Sequence, residues 1–138
     1  MNKAMNYLGL ARRGGLAELG EEPVGAIARA GKAYVILVAS DASDHTWRRA
    51  KSFAAGTEQQ CIRLPFTKND MGLATGRQEL AIAALTDPAM ALALVQALPS
   101  PEKYAEAITV LTRKIERMNQ RKKEAAAHKK NVQKGKKK

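Results

Sequence analysis

Apolar residues run almost without interruption through residues 33–40, AYVILVAS. A strand that is apolar throughout, rather than alternating, is covered on both faces, as in the centre of an α/β sandwich. Residues 61–64 and 80–85 predict two further strands, and residues 16–19 a short extended piece. Between these runs the pattern changes to a helical period. Met5, Leu8 and Ala11 share one face of a helix over residues 1–11, which Arg12-Arg13-Gly14-Gly15 ends because paired glycines break helices. Gly20 opens a second helix, with Glu21 and Glu22 in its first turn. Carboxylates suit the positive end of the helix dipole, and Pro23 costs little where amides have no helical partner. Val24, Ile27 and Ala28 form its buried stripe, and Gly31 ends it.

Ser43 caps a third helix to about residue 55, with Trp47, Ala50, Phe53 and Ala54 inward and Arg48, Arg49 and Lys51 outward. Thr67 and Asp70 read as a capping box with Asp in place of Glu, opening a short helix that ends near Gly76. Asp87 followed by Pro88 is a cap and a first-turn proline, opening a helix to about Leu98. Strands and helices thus alternate along the chain, which predicts a small three-layer α/β/α sandwich over residues 1–98.

Pro99-Ser100-Pro101 closes that unit, and residues 99–138 form a second region. Ser100 is read as a cap and Pro101 as the start of another helix. Tyr104, Ile108, Leu111, Ile115 and Met118 then follow at alternating spacings of four and three, a short a/d seam. The favoured reading is a helix folded back onto the domain; the other is a short dimerising coil. Beyond Met118 the chain, RKKEAAAHKKNVQKGKKK at its end, has helix formers but little apolar residue to pack with, and reads as a basic helical or disordered tail.

Charge divides the chain the same way. Lys and Arg total 24 against 13 Asp and Glu, a net of +11. Residues 1–112 hold 12 basic and 11 acidic residues, a net of +1, and residues 113–138 hold 12 and 2, a net of +10. A surplus so concentrated points to a polyanion. Arg113, Lys114, Arg117, Arg121, Lys122, Lys123, Lys129 and Lys130 are the candidate phosphate contacts. The tail has no interleaved aromatics for base stacking and, beyond Met118, no bulky apolar residue to insert into a membrane. No apolar run approaches the ~20 residues of a membrane span. The opening MNKAMNYLGLARRGG lacks the long apolar core of a signal peptide, so the expected location is the cytoplasm.

No catalytic set emerges. His45 lies in a polar helix start and reads as an exposed helical histidine. His128 sits among lysines, and Cys61 opens an apolar strand as a small hydrophobe. Neither a metal site nor a cofactor site is expected: a single cysteine and two distant histidines form no ligand set, and no phosphate-loop or dinucleotide glycine pattern occurs.

Four segments carry a resemblance: LGLARRGG (8–15), GEEPVGAIARAGKAYVILVASDAS (20–43), FTKNDMGLATGRQE (66–79) and LTD (85–87). Over residues 7–98, in order and spacing, they resemble the bacterial YlxQ-like branch of the L-seven-Ae/L-thirty-e ribosomal protein family, which includes kink-turn RNA binders. The resemblance implies a four-stranded mixed sheet inside the sandwich. It also implies a non-enzymatic RNA-binding protein, associated with the ribosome or with a structured RNA. Family members that bind kink-turns read RNA at the N-terminus of the second helix, through Gly-x-Asn-Glu and a lysine three residues on, and at the loop after Leu-Gly-x-Ala-x-Gly. Here Gly20 matches the motif glycine, Glu22 stands at the asparagine position, Pro23 at the glutamate position and Ala26 at the lysine position. Residues 71–76 match the second segment, so Gly76, Arg77, Gln78 and Glu79 form the second candidate edge beside Gly20, Glu21 and Glu22. Glu22 can accept from guanine N–H donors, whereas Pro23 donates nothing and Ala26 carries no charge. Arg12, Arg13 and Lys32 are further candidates; Arg12 and Arg13 either flank the Gly20 edge or are exposed loop charges.

Overall fold

The computed structural model of the chain describes residues 2–136, and the side chains of residues 2–128. Its elements follow the predicted order: α1 (Lys3–Arg13), β1 (Ala17–Leu19), α2 (Glu21–Arg29), β2 (Val35–Val38), α3 (Asp44–Ala54), β3 (Gln60–Arg63), α4 (Lys68–Thr75), β4 (Ile82–Leu85), α5 (Pro88–Gln96), a 3-10 turn (Pro101–Tyr104) and α6 (Ala105–Lys136).

The sheet order is β1-β4-β2-β3. β2 runs parallel to β3 and antiparallel to β4, and β1 is antiparallel to β4, so the sheet is mixed. β2 and β4 are central, and every residue of both is buried, as continuous apolar strands require. Helices α2 and α3 pack together on one side; α1 packs against α4 and α5, and α5 against α6, on the other. The result is the three-layer α/β/α sandwich with a four-stranded mixed sheet.

The predicted caps are present. The Thr67 hydroxyl accepts from Asp70 N at 3.1 Å, and the Asp70 carboxylate accepts from Thr67 N at 3.0 Å. Asp41, 27 residues away in sequence, accepts from Lys68 N at 2.8 Å and ties the start of α4 to the end of β2. The Asp87 carboxylate accepts from Met90 N at 2.8 Å, with Pro88 at the first position of α5.

Several boundaries differ from the sequence expectation: α1 runs on to Arg13, and β2 and β4 begin at Val35 and Ile82, two residues inside their apolar runs. β3 is shifted one residue toward the N-terminus, although Leu64 N still donates to Val38 O at 2.7 Å. Ser100 is not a cap. Its backbone lies in the left-handed region at φ 53°, not in the extended geometry that an N-cap needs, and its side chain makes no capping bond. The turn it makes reverses the chain, so that α6 lies against α5. Leu111 and Ala107 join the hydrophobic core, with Tyr104 and Ile108 packed on it. The a/d seam therefore folds back onto the domain. Beyond Met118 the helix continues with residues 119–128 all exposed. There it draws on strong helix formers and on an i,i+4 bond from Gln120 to Glu124 of 3.1 Å.

Candidate nucleic-acid interface

Gly20 stands at φ 98°, a conformation that favours glycine. Its N–H donates to Ile82 O at 3.0 Å, which pins the start of α2 to the start of β4. Glycine brings no side chain to cap α2. The amides of Glu21 and Glu22 therefore lie at the positive end of the helix with no side-chain acceptor from the N-cap.

The second candidate edge reaches the same place. Gly76 ends α4 in the left-handed region at φ 75°. The chain then folds back: Arg77 N donates to Gly72 O at 2.9 Å. A Cβ at Gly72 would stand 2.7 Å from the carbonyl oxygens of both Arg77 and Gln78, so the loop needs a glycine under it. Arg77, Gln78 and Glu79 are exposed. Nη1 of Arg77 lies 3.9 Å from where a Cβ on Gly20 would be. Two segments more than fifty residues apart in sequence thus meet at one edge.

The charges on this edge are not those of the bare sequence. Glu21 is turned toward α3, where Arg49 Nε lies against its Oε1 without an aligned hydrogen bond and His45 Nε2 stands 3.9 Å away. Arg49 also lies over the Phe53 ring, 5.2 Å from its centroid. One of the two carboxylates that would oppose a phosphate is therefore paired within the protein. Glu22 remains exposed, and so do Pro23 and Ala26. Arg49 is part of the site in a way the sequence reading missed; the signal was its place on α3, which the sandwich sets beside α2. Arg63, at the same end of the sheet, bonds Ala42 O at 3.3 Å and lies over Trp47.

The remaining candidates are dispersed. Arg13 lies back along α1, its Nη1 3.6 Å from a Cβ on Gly9. There it borders an open groove with Leu10, Leu73 and Ala74. Arg12 is exposed in the last turn of α1, before the end of β1 that pairs with Leu85, whereas Gly20 follows the other end. Lys32 is exposed beyond the C-terminus of α2, whose N-terminus carries Gly20. In α6, Lys114 and Arg117 face Glu58 at 3.3 and 3.6 Å, and Lys114 lies over the Tyr34 ring at 5.8 Å. A hydrogen bond from Lys114 and its charge, then that of Arg117, hold the Glu58 carboxyl below its ordinary value. Arg113, Arg121, Lys122 and Lys123 are exposed. The side chains of Lys129 and Lys130 lie outside the described residues.

Among the described residues, no group of three His, Cys, Asp or Glu is placed to hold a metal ion, and no helix is long and apolar enough to cross a membrane. Cys61 is half-buried, and burial pushes its thiol up to about 11 against the opposing charge of Lys51, far from the thiolate a nucleophile needs.

Comparisons with known proteins bear on this geometry. No family model matches the chain. An RNA-binding protein YlxQ of Enterococcus faecium is 42% identical over 62 residues, which are 45% of this chain and 60% of that protein. The chain thus spans less than two thirds of the curated relative it matches. Among solved structures, a protein with unknown function from Bacillus halodurans C superposes with a TM-score of 0.66 at 23% identity, over 70% of this chain and 97% of that one. A Giardia lamblia 15.5kD RNA binding protein superposes with a TM-score of 0.57 at 14% identity, over 67% and 79%. At those identities the structures speak to the fold alone. The resemblance to the YlxQ-like branch of the L-seven-Ae/L-thirty-e family therefore stands, in sequence through a YlxQ homologue matched over 62 residues and in fold through the shared sandwich.

Proposed function

We propose that the chain is a non-enzymatic RNA-binding protein of the cytoplasm, and that it grips a structured RNA, ribosomal or kink-turn-like, at the Gly20/Arg77 edge. The observation that supports this most is the meeting of Gly20 with Arg77 at one edge, in a chain whose matched relative is named an RNA-binding protein. The exposed Glu22 carboxylate accepts from guanine N–H donors, Arg77 donates to a base edge or a phosphate, and Gln78 can do either. Pro23 and Ala26 add nothing, so discrimination rests on fewer side chains than the family motif supplies. The exposed cations of α6 attract any phosphate backbone and carry no sequence information.

A salt titration on a kink-turn hairpin and on random duplex RNA tests this. With about six phosphates neutralised by the tail, the slope of log affinity against log salt is near −5 on a duplex. Removing residues 119–138 flattens that slope and weakens both RNAs by similar factors. Arg77→Ala lowers the preference for the hairpin by roughly fivefold or more, and changes binding to random duplex little. If removing the tail abolishes the preference while Arg77→Ala leaves it intact, the edge is not the reader. The rival reading, a protein-interaction module with incidental tail-driven RNA contact, then moves ahead. Its seam on α6 is occupied by the chain's own core, but Leu10 and Leu73, 46% and 64% exposed, still favour it.

A further inference from the structure

We propose that the protein bridges two separate RNA segments, one held at the Gly20/Arg77 edge and one on the exposed basic extension of α6. The proposal rests on the RNA-binding reading above. Strand register fixes two ends of the molecule. Gly20 is bonded to Ile82, Ile82 pairs with Val38, and Val38 pairs with Arg63; this row closes one end of the sheet, with Arg77 beside it. Ala17, Leu85, Val35 and Gln60 form the row at the other end, three strand steps or about 10 Å away. Tyr34 and Glu58 lie beyond that second row.

The path of α6 is set against these rows. Its first turns and the 3-10 turn before it border β3, where Lys103, Tyr104 and Ala107 line a hollow with residues 60–63. Its middle is fastened beyond the second row, by Lys114 and Arg117 on Glu58 and by Lys114 over Tyr34. The helix therefore runs away from the Gly20 edge and leaves the domain at the opposite end. From Met118 to Lys136 it extends a further 27 Å or so. Arg121, Lys122 and Lys123 are exposed on that extension, and Lys32, two residues before Tyr34, adds a cation at the end from which it departs. The body that carries the edge has a net charge of only +1 over residues 1–112, so the cationic surplus sits at the far end. The edge and the extension thus lie at opposite ends of the sheet, so an RNA seated on the first leaves the exposed cations of the second to hold the backbone of another.

The test uses two RNA probes and the full chain. A kink-turn hairpin is tethered to a surface and loaded with protein, and a short fluorescent plain RNA duplex is then added. The loaded full chain captures the duplex. At equal loading, the variant carrying Arg121→Gln, Lys122→Gln and Lys123→Gln captures at least about tenfold less, since each lost phosphate contact removes part of the affinity at moderate salt. These three side chains are exposed, so the fold is not at stake. If the loaded full chain captures no more duplex than the triple variant, the tail lies on the hairpin itself and the bridge is overturned while the edge reading stands. If the hairpin loads no more protein than tethered plain duplex does, the edge reading fails and the bridge fails with it.

Discussion

At the Gly20 end, position is set by backbone and by close packing. A left-handed glycine, an amide fixed on β4 and a loop pressed against Gly72 hold Arg77 in place. At the Glu58 end, position is set by two ion pairs between partly exposed side chains, and the helix continues from them with residues 119–128 exposed. The first kind of construction can discriminate, because its groups stay where the fold puts them. The second can attract but not read, because charge at an exposed helix is indifferent to sequence. The difference predicts that mutations at the two ends act on different quantities: stability and preference at the first, salt dependence and reach at the second.

The largest break in that comparison comes from the sheet beneath both ends. Leu37 is fully buried at the centre of β2. Leu37→Asp puts an unpaired charge in the core at a cost of several kcal/mol, against a total stability of roughly 5–15 kcal/mol. The expected outcome is loss of the cooperative thermal transition; a native-like circular dichroism spectrum with a normal melt would refute the central-strand assignment.

Truncation separates the two regions directly. A chain ending at Met118 keeps the buried residues of α6 and melts as the full chain does. A chain ending at Leu98 still folds, because the strands and their covering helices precede Pro99. It loses Leu111, which is fully buried, and with it about 2–5 kcal/mol, read as a lower midpoint in chemical denaturation. Absence of a cooperative transition in the shorter chain would move the domain boundary from Leu98 to beyond Leu111.

The sequence made the sandwich legible because its signals are local. An all-apolar run at 33–40 needs no partner to announce a central strand, and Thr67 with Asp70, or Asp87 with Pro88, mark helix starts within four residues. The candidate edge was legible as two segments only through the family resemblance; that Gly72 has no room for a side chain, and that Gly20 and Gly76 hold positive φ, is seen only in the fold. The state of Glu21 was not legible. It depends on Arg49, which arrives only when α2 and α3 pack side by side, and nothing in either helix encodes that pairing. The end at which α6 leaves was equally hidden, because Glu58, Lys114 and Arg117 each read as ordinary surface charges. Ser100 misled because a serine before a proline-initiated helix is a good cap only if its backbone is extended, and a chain reversal set it otherwise.

A smaller effect sharpens the Gly20 end. Gly72→Ala forces the carbonyls of Arg77 and Gln78 away from a new methyl group, an overpacking change that typically costs 1–3 kcal/mol. The melt drops by a corresponding few degrees, and the preference for a structured RNA falls with it, because Arg77 moves off Gly20. A variant that keeps both would show that the loop's place over Gly72 does not matter to the edge.

The smallest effect is expected at Glu58, and its sign with pH is fixed. Lys114 and Arg117 hold this carboxyl below its ordinary value, so whatever the pairs contribute to stability is present above the unfolded carboxylate range and is lost as pH falls through the lowered folded value. Both partners are exposed enough for solvent to screen them, and exposed ion pairs contribute little. Glu58→Gln should therefore leave the melting temperature at pH 7 nearly unchanged, with any difference from the parent chain vanishing in acid. Its consequence is geometric. Without the carboxylate, α6 loses its fastening beside Tyr34, and the distance from a label on Arg77→Cys to one on Lys123→Cys, read by paramagnetic or fluorescence methods after Cys61→Ala, should broaden. A distribution as narrow as in the chain that keeps Glu58 would show that apolar packing at Leu111 alone sets the direction of the helix.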